Sequence, residues 1–444
     1  MVQKINKTPQ LDIFKTPIVH FIKESHELVS MANKINWDFI EDELGKNYSL
    51  DNGRPSIPIR TIAGVVLLKR MFDESDESVI DRWVENPYWQ YFCGETYFQH
   101  EAPFDRTELI KFRKRIGEEG AEILLKASID LFPTKETREK EVLIDTTVQE
   151  KNITYPTDVK LQKKLIEKCR KIAVVEDIQL RQTYRKELKQ LMIEQRFHSH
   201  PKRKKKAKAA ARRIKVIAGK IYRDLYRKLD EGQRAYYGKL FKIFDKILEQ
   251  EKDSKDKIYS IHQPHVKCIA KGKEAKKYEF GNKSSFVKTK KSGIIIGAMA
   301  FTENIYDGDT LSPQFQQVER LIGKMPKTGI VDRGYRGRKT IEGVKIIIPG
   351  KLAAKATRYL VQKIRKQFRA RAGIEPVIGH IKYDHRMWRN FLLDEDGDKI
   401  NTILAATGFN LRKMLRRIKA GAMEIFALIL NEYYLLKLEL KYAT

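Results

Sequence analysis

Cysteine is scarce. Cys93, Cys169 and Cys268 are the only three in 444 residues, an odd number and widely spaced. No disulfide framework is implied, which fits a reducing cytosol. Acidic charge is also in short supply: 58 Asp and Glu stand against 88 Lys and Arg, a net charge of +30. So large an excess repels itself unless a polyanion offsets it, which makes nucleic acid the first partner to consider. A ribosomal or chaperone-like RNA binder would carry the same charge, so composition names no activity. Long apolar runs are missing too. The nearest approach, AMEIFALILNEYYLLKLEL, is broken by Glu424, Asn431, Glu432 and Lys437. It reads as a buried or partner-facing helix, not a membrane span. The opening MVQKINKTPQLDIF lacks the apolar stretch of a secretion leader, so a cytoplasmic protein is expected. What is present is ample core material: 41% of residues are hydrophobic, and the length suggests two or three domains.

Residues 25 to 133 read as short helices in series. IPIRTIAGVVLLKRMFD (57–73) places apolar residues at helical spacing with Pro58 near its start. Basic residues on the exposed faces suit a small DNA-binding domain over 1–135, and suit a helical scaffold with solvated charges as well. At 141 the pattern changes. EVLIDTTV is a short apolar run with β-branched neighbours, a buried strand expected to deliver Asp145 at or near its end. A helical insertion very rich in Lys and Arg follows over about 158–255, with PKRKKKAKAAARR (201–213) as its most basic segment. Such a run serves as a solvated face or as a tracker of phosphates. Strand character returns after 265 as a meander. GIVDRGYRG is a second apolar run ending in an acid, Asp332, and VKIIIPG is another buried strand. Helix resumes from Ala353 to about Lys382, and a helical tail closes the chain over 396–444. The fold expected is α/β: a mixed sheet with flanking helices over 136–395, interrupted by one long helical insertion and preceded by a helical domain.

Three acids stand out by context. Asp145 and Asp332 close buried runs, and Glu375 lies within the basic segment FRARAGIEPVIGHIK. Clustered carboxylates repel, and divalent ions relieve that repulsion. Mg²⁺ takes hard oxygen ligands and substrate phosphates together, and two such ions can activate a nucleophile and stabilise a leaving oxygen in phosphoryl transfer. On a helical wheel at about 100° per residue, Phe368, Arg371, Glu375 and Lys382 share one face. Pro376 complicates this, because it removes a helical hydrogen bond and disfavours helix at Glu375. Gly373 weakens the helix further. A kinked or interrupted helix is expected.

FRARAGIEPVIGHIK resembles the Tyr-(2)-Arg-(3)-Glu-(6)-Lys signature of insertion-sequence transposases of the four/five superfamily, with Phe368 in the tyrosine's place. LIDTTVQEKNITYPTD, KYEFGNKSSF and VDRGYRG are similar to blocks of the same group, in the expected order, and IPIRTIAGVVLLKRMF is similar to the helical domain before their core. The resemblance covers roughly residues 50–390. It implies a DDE transposase with an RNase H-like core, in which Asp145, Asp332 and Glu375 hold two Mg²⁺ or Mn²⁺ ions. Strand cleavage and strand transfer at terminal inverted repeats would follow, with double-stranded DNA as partner, a homodimer as the working form and the nucleoid as its place. Arg371 and Lys382 would contact phosphates near the scissile bond, and Arg333, Arg386 and Trp388 complete the expected DNA-binding set. Two rivals stand: a non-catalytic nucleic-acid-binding relative and a two-metal nuclease.

Other features have blander readings. His262, His265 and Cys268 look metal-like but lack a fourth ligand at zinc spacing. Asp307 and Asp309 in IYDGDTL read as turn acids. Trp388 suits packing as well as base stacking.

Overall fold

A computed structural model of the chain describes residues 15–49, 55–251, 253–270, 277–337, 339–348 and 357–442, the side chains of 422–442 apart. It divides into two units, one made of Met1–Glu150 with Lys283–Thr444, the other of Lys151–Asn282.

The first unit opens with a series of helices, some of them set by side-chain caps. These are α1 (Glu27–Lys34), α2 (Trp37–Gly45), α3 (Ile59–Met71), α4 (Ser78–Glu85), α5 (Pro87–Phe92), α6 (Arg106–Ile129) and α7 (Thr134–Thr137). Asn36 accepts from the Phe39 amide, Asn86 from Tyr88 ahead of Pro87, and Asp105 from Thr107, each satisfying an amide that the helix leaves open. α3 is buried all round except at Arg60, as its nearly continuous apolar run requires. The two cations it carries inward are handled separately. Lys69 pairs with Asp76, which also takes a bidentate bond from Arg113. Arg70 reaches the carbonyl of His385.

The strands are β1 (Glu141–Glu150), β2 (Lys267–Ala270), β3 (Tyr278–Thr289), β4 (Ile295–Phe301), β5 (Thr328–Ile330), β6 (Thr340–Ile341) and β7 (Val344–Ile347). β3 neighbours β1, and β1 is followed outward by β5, β7 and β6. β1 runs parallel to β5 and β5 parallel to β7, whereas β4 is antiparallel to β3 and β6 to β7. The meander expected after 265 is present, with β2 antiparallel to the first residues of β3. The sheet is mixed, with helices on both sides. The expected short strand at Asp145 differs: β1 continues five residues past it to Glu150. Thr146, Thr147 and Val148 extend it because β-branched residues favour extended backbone, so Asp145 stands mid-strand.

The second unit holds α8 (Asp158–Val175), α9 (Arg185–Gln195), α10 (Lys204–Lys228), α11 (Glu231–Tyr236) and α12 (Gly238–Glu249). It has a core of its own, built from Leu165, Ile166, Cys169, Ile214, Ile217 and Phe244. The basic run 201–213 is largely exposed; Ala207 and Ala210 turn inward, and Lys204, Lys205, Lys206 and Lys208 face out.

Back in the first unit, α13 (Leu311–Ile322), α14 (Arg358–Ala372), α15 (Glu375–Asp384) and α16 (Asp394–Tyr442) follow. α16 starts at Asp394 and is tied to the sheet by a buried polar network. Asn410 bonds both backbone groups of Ile295 on β4. Asn401 and Thr402 bond Gln149 on β1, and Thr402 also meets Ser284 on β3. The same helix lies so close to α3 that a side chain on Gly408 would come within 2.7 Å of the Arg70 carbonyl oxygen. The 353–356 part of the expected helix lies outside the described residues.

Candidate active site

Parallel pairing brings the first two acids together. Leu143 stands opposite Ile330, and continuing that register by two residues sets position 145 beside 332. Both acids thus lie two residues past the same end of the β1–β5 pairing, although they are far apart in sequence. Asp145 is 9% exposed, and one of its oxygens accepts from the Thr146 amide at 2.8 Å. Asp332 leaves the end of β5 and caps the single 3₁₀ turn Arg333–Tyr335, its Oδ1 accepting from the Gly334 amide at 2.8 Å.

The third acid arrives on a separate helix. α14 ends at Ala372, Gly373 and Ile374 form the break, and Glu375 begins α15 with Pro376 in its first turn. The helix is thus interrupted. Pro376 is tolerated there because the first-turn amides have no helical partner to lose. Lys288 of β3 donates to the Gly373 carbonyl at 2.7 Å, which fastens the break to the sheet. Glu375 lies at the positive end of the α15 dipole, a favourable place for a carboxylate.

One side chain joins this acid to the first. Arg371 Nη1 lies 3.0 Å from Glu375 Oε1, and its Nη2 lies 3.5 Å from Asp145 Oδ2. The helical wheel places Arg371 and Glu375 on one face, and the ion pair forms across the break. The bridge to Asp145 is not readable from local spacing.

A fourth acid stands here that sequence reading sets aside as a turn residue. Asp307, in the 3₁₀ turn Asp307–Thr310 after β4, has Oδ1 2.9 Å from Thr146 Oγ1 and 2.8 Å from Lys283 Nζ. Tyr335 is buried, and its hydroxyl neighbours Thr146 without a hydrogen bond of acceptable geometry. Burial raises its pKa well above the ordinary phenol value, and the nearby charges of Asp145, Asp307 and Asp332 raise it further. Asp309 belongs to the same turn, its amide donating to the Tyr306 carbonyl at 2.9 Å.

The expected DNA-binding residues are spread more widely. Arg333 is exposed, and its guanidinium sits 5.9 Å from the centre of the Phe368 ring, so the aromatic at the signature's first position meets a cation. Lys382 is on α15, half-buried. Arg386 has backbone φ of +59° and bonds the Asp73 carbonyl at 2.8 Å. Trp388 is 52% exposed, with Arg389 over its ring. In the other unit, His262 pairs with the Ser260 hydroxyl, and Cys268 is in β2.

Hard carboxylate oxygens suit Mg²⁺ or Mn²⁺. Among the described residues, no three His, Cys, Asp or Glu side chains are grouped closely enough to hold a metal ion; the cation bridging Asp145 and Glu375 is Arg371. Two features fit a cation all the same. A Cβ built on Gly334 would come within 2.9 Å of Asp332 Oδ1 and 3.0 Å of Asp307 Oδ2, so the glycine leaves a cradle between two carboxylates. The buried Tyr335 hydroxyl, close to Thr146 but without a hydrogen bond of acceptable geometry, feels the charges of Asp145, Asp307 and Asp332.

Known proteins resemble this chain in two regions. A family model described as a transposase domain (DUF772) matches residues 17–115, and one described as a transposase DDE domain matches residues 249–411. Asp307, Asp332 and Glu375 fall inside the second region and Asp145 precedes it. A Rhizobium meliloti protein, "Uncharacterized protein ORF8 in nfe locus", is 40% identical over 193 residues, covering 43% of this chain and 93% of its own length. No solved structure matches. No helix among the described residues is long and apolar enough to cross a membrane. The mixed sheet is therefore the RNase H-like core that a DDE domain implies, and the chain belongs to the DDE family of DNA transposases, enzymes that act on DNA with a divalent metal.

Proposed function

We propose that Asp145, Asp332 and Glu375 are the catalytic carboxylates of this transposase and that it cuts and joins DNA at the terminal inverted repeats of an insertion sequence. The observation that carries this reading is Arg371, whose guanidinium draws Asp145 and Glu375 to one point from β1 and from the start of α15. The spacing of Phe368, Arg371, Glu375 and Lys382 supports membership of the four/five superfamily. Two Mg²⁺ or Mn²⁺ ions, when bound, supply charge for the attacking and leaving oxygens of an in-line displacement.

The chain's own residues set the geometry. Asp145 presents its oxygens from β1, Asp332 from the turn that follows β5, and Glu375 from a helix start, where its charge is favoured. Arg371, once released from the carboxylates, meets a phosphate with the same planar fork. Lys382 and Arg333 add positive charge beside the strand being cut. In cleavage a water oxygen bonds to phosphorus and the 3′-oxygen leaves with a proton. In joining that 3′-oxygen bonds to a target phosphorus, the target's own 3′-oxygen leaves and takes up the proton, and bonds balance without a covalent protein intermediate. Residues 1–135 supply DNA contacts in this reading, and a homodimer in the nucleoid brings two element ends together. Arg386, bonded to Asp73, orders the loop that carries Trp388 toward DNA.

Incubating the purified protein with Mn²⁺ and DNA bearing the element's ends should yield both cleaved ends and strand-joined product. Cleavage with no joined product under any ratio of ends to target would instead identify a nuclease. Binding without cleavage would identify a non-catalytic relative.

A further inference from the structure

We propose that Asp307 is a fourth carboxylate of the metal site, facing Asp332 across Gly334 and supplying a ligand, directly or through water, to a divalent cation held between them. The inference rests on the catalytic reading of Asp145, Asp332 and Glu375.

Asp307 does not behave as a turn acid. Turn acids bond the backbone of their own turn, as Asp332 does with the Gly334 amide. The Asp307 carboxylate instead accepts from Thr146 on β1 and Lys283 on β3. Both bonds use Oδ1, so one oxygen is fixed and the other, Oδ2, is left to face the cradle. There, Oδ2 and Asp332 Oδ1 lie 3.0 Å and 2.9 Å from the point a Cβ on Gly334 would occupy. The two oxygens can be no farther apart than those distances added. Two carboxylates held so close repel unless a cation lies between or beside them. Any residue larger than glycine at 334 would push a carbon against both.

A second observation is independent of the acids. Tyr335, the next residue, is 1% exposed, and its hydroxyl, close to Thr146, makes no hydrogen bond of acceptable geometry. Buried hydroxyls are rarely left so, and an orphan calls for an unseen water or ion. Its charged neighbours are Asp145, Asp307 and Asp332. A water bound to a cation held by those acids would take the hydroxyl as partner and leave Asp307 as much a part of the site as Asp332. Lys283 then has a defined role. It fixes the outer oxygen of Asp307 and offsets part of its charge, so that the inner oxygen stays available.

The test is a titration of the full-length protein with Mn²⁺ alone, read by the electron paramagnetic resonance signal of the free ion. Asp307→Asn keeps an oxygen to accept from Thr146 and Lys283, so it removes charge while retaining the anchoring bonds. We expect it to weaken Mn²⁺ binding about tenfold or more, comparably to Asp332→Asn, while Thr146→Val, which removes one of the two anchoring bonds and no charge, weakens it less than Asp307→Asn does. Gly334→Ala, which leaves every acid in place but fills the cradle, should also weaken binding and serves alone if Asp307→Asn does not fold. Wild-type affinity in Asp307→Asn or in Gly334→Ala, with binding lost in Asp145→Asn and Asp332→Asn, overturns the fourth ligand and spares the catalytic reading. Wild-type affinity in Asp145→Asn and Asp332→Asn removes the catalytic reading and the inference together.

Discussion

Arg371 holds carboxylates from two elements with one guanidinium, and what it does without metal is measurable. Glu375 is well exposed and the pair is partly screened, so the bridge stabilises the fold by only about 1 kcal/mol. Arg371→Ala should lower the melting temperature modestly in metal-free buffer. Added Mn²⁺ should then raise the variant's melting temperature by more than it raises that of wild type, because an ion takes over the guanidinium's place. An unchanged melting temperature in metal-free buffer would mean that the bridge contributes nothing. His385 gives a prediction with a pH window. Burial lowers its pKa from 6.5 to about 4, and Arg412 and Arg416 add to that effect while Asp384 opposes it. Its Nδ1 lies 2.8 Å from the Arg70 carbonyl oxygen. A depressed pKa means that the neutral ring is favoured in the folded state. The stability it contributes is therefore whole above pH about 6.5 and is lost as pH falls toward 4, by up to about 3 kcal/mol. Melting curves of wild type and His385→Gln should diverge least in that acid range, and parallel curves would contradict the assignment. At this scale the proposed catalytic acids Asp145, Asp332 and Glu375 were conspicuous in the sequence because each interrupts a pattern, two at apolar runs and one in a basic cluster. Asp307 was not, because the partners that distinguish it from a turn acid lie 161 and 24 positions away.

Among the elements, strands were easier to read than their ends. The apolar runs marked β1, β5 and β7, but β1 outlasts its run because Thr146 to Gln149 bond and pack against neighbours far along the chain, Gln149 with Asn401 among them. The break between α14 and α15 was legible from Gly373 and Pro376, whereas the Lys288 bond that fixes its direction was not. α10 answers a question that composition left open. Ala207 and Ala210 face inward and its lysines outward, so the basic run is an ordered stripe. Lys204, Lys205 and Lys208 are exposed on it, while Lys206 pairs with Glu194 at 3.1 Å. If the stripe follows a DNA backbone, changing those three lysines to Gln should flatten the dependence of log affinity on log salt by about 0.9 for each phosphate no longer neutralised. An unchanged slope in a filter-binding series would assign the stripe to solvent.

At the scale of the whole chain, the net charge of +30 and the family agree on DNA as partner, and the sheet gathers elements that are distant in sequence. β1 and β5 pair in parallel, α14 and α15 deliver Glu375, and the second unit is inserted between β1 and the end of β3 with a core of its own. The long insertion was readable from composition. The packing of α16 against α3 was not, since it depends on Gly408 meeting the Arg70 backbone, an approach no local pattern announces. The central claim is that the three acids work as one unit with metal. The most direct measurement is Mn²⁺-dependent cleavage of element-end DNA by wild type, by Asp145→Asn, Asp332→Asn and Glu375→Gln singly, and by the triple variant. The account predicts that each single substitution lowers the cleavage rate by about a thousandfold or more and that the triple variant is little worse than any single one. Cleavage that survives Asp145→Asn at near the wild-type rate would contradict it.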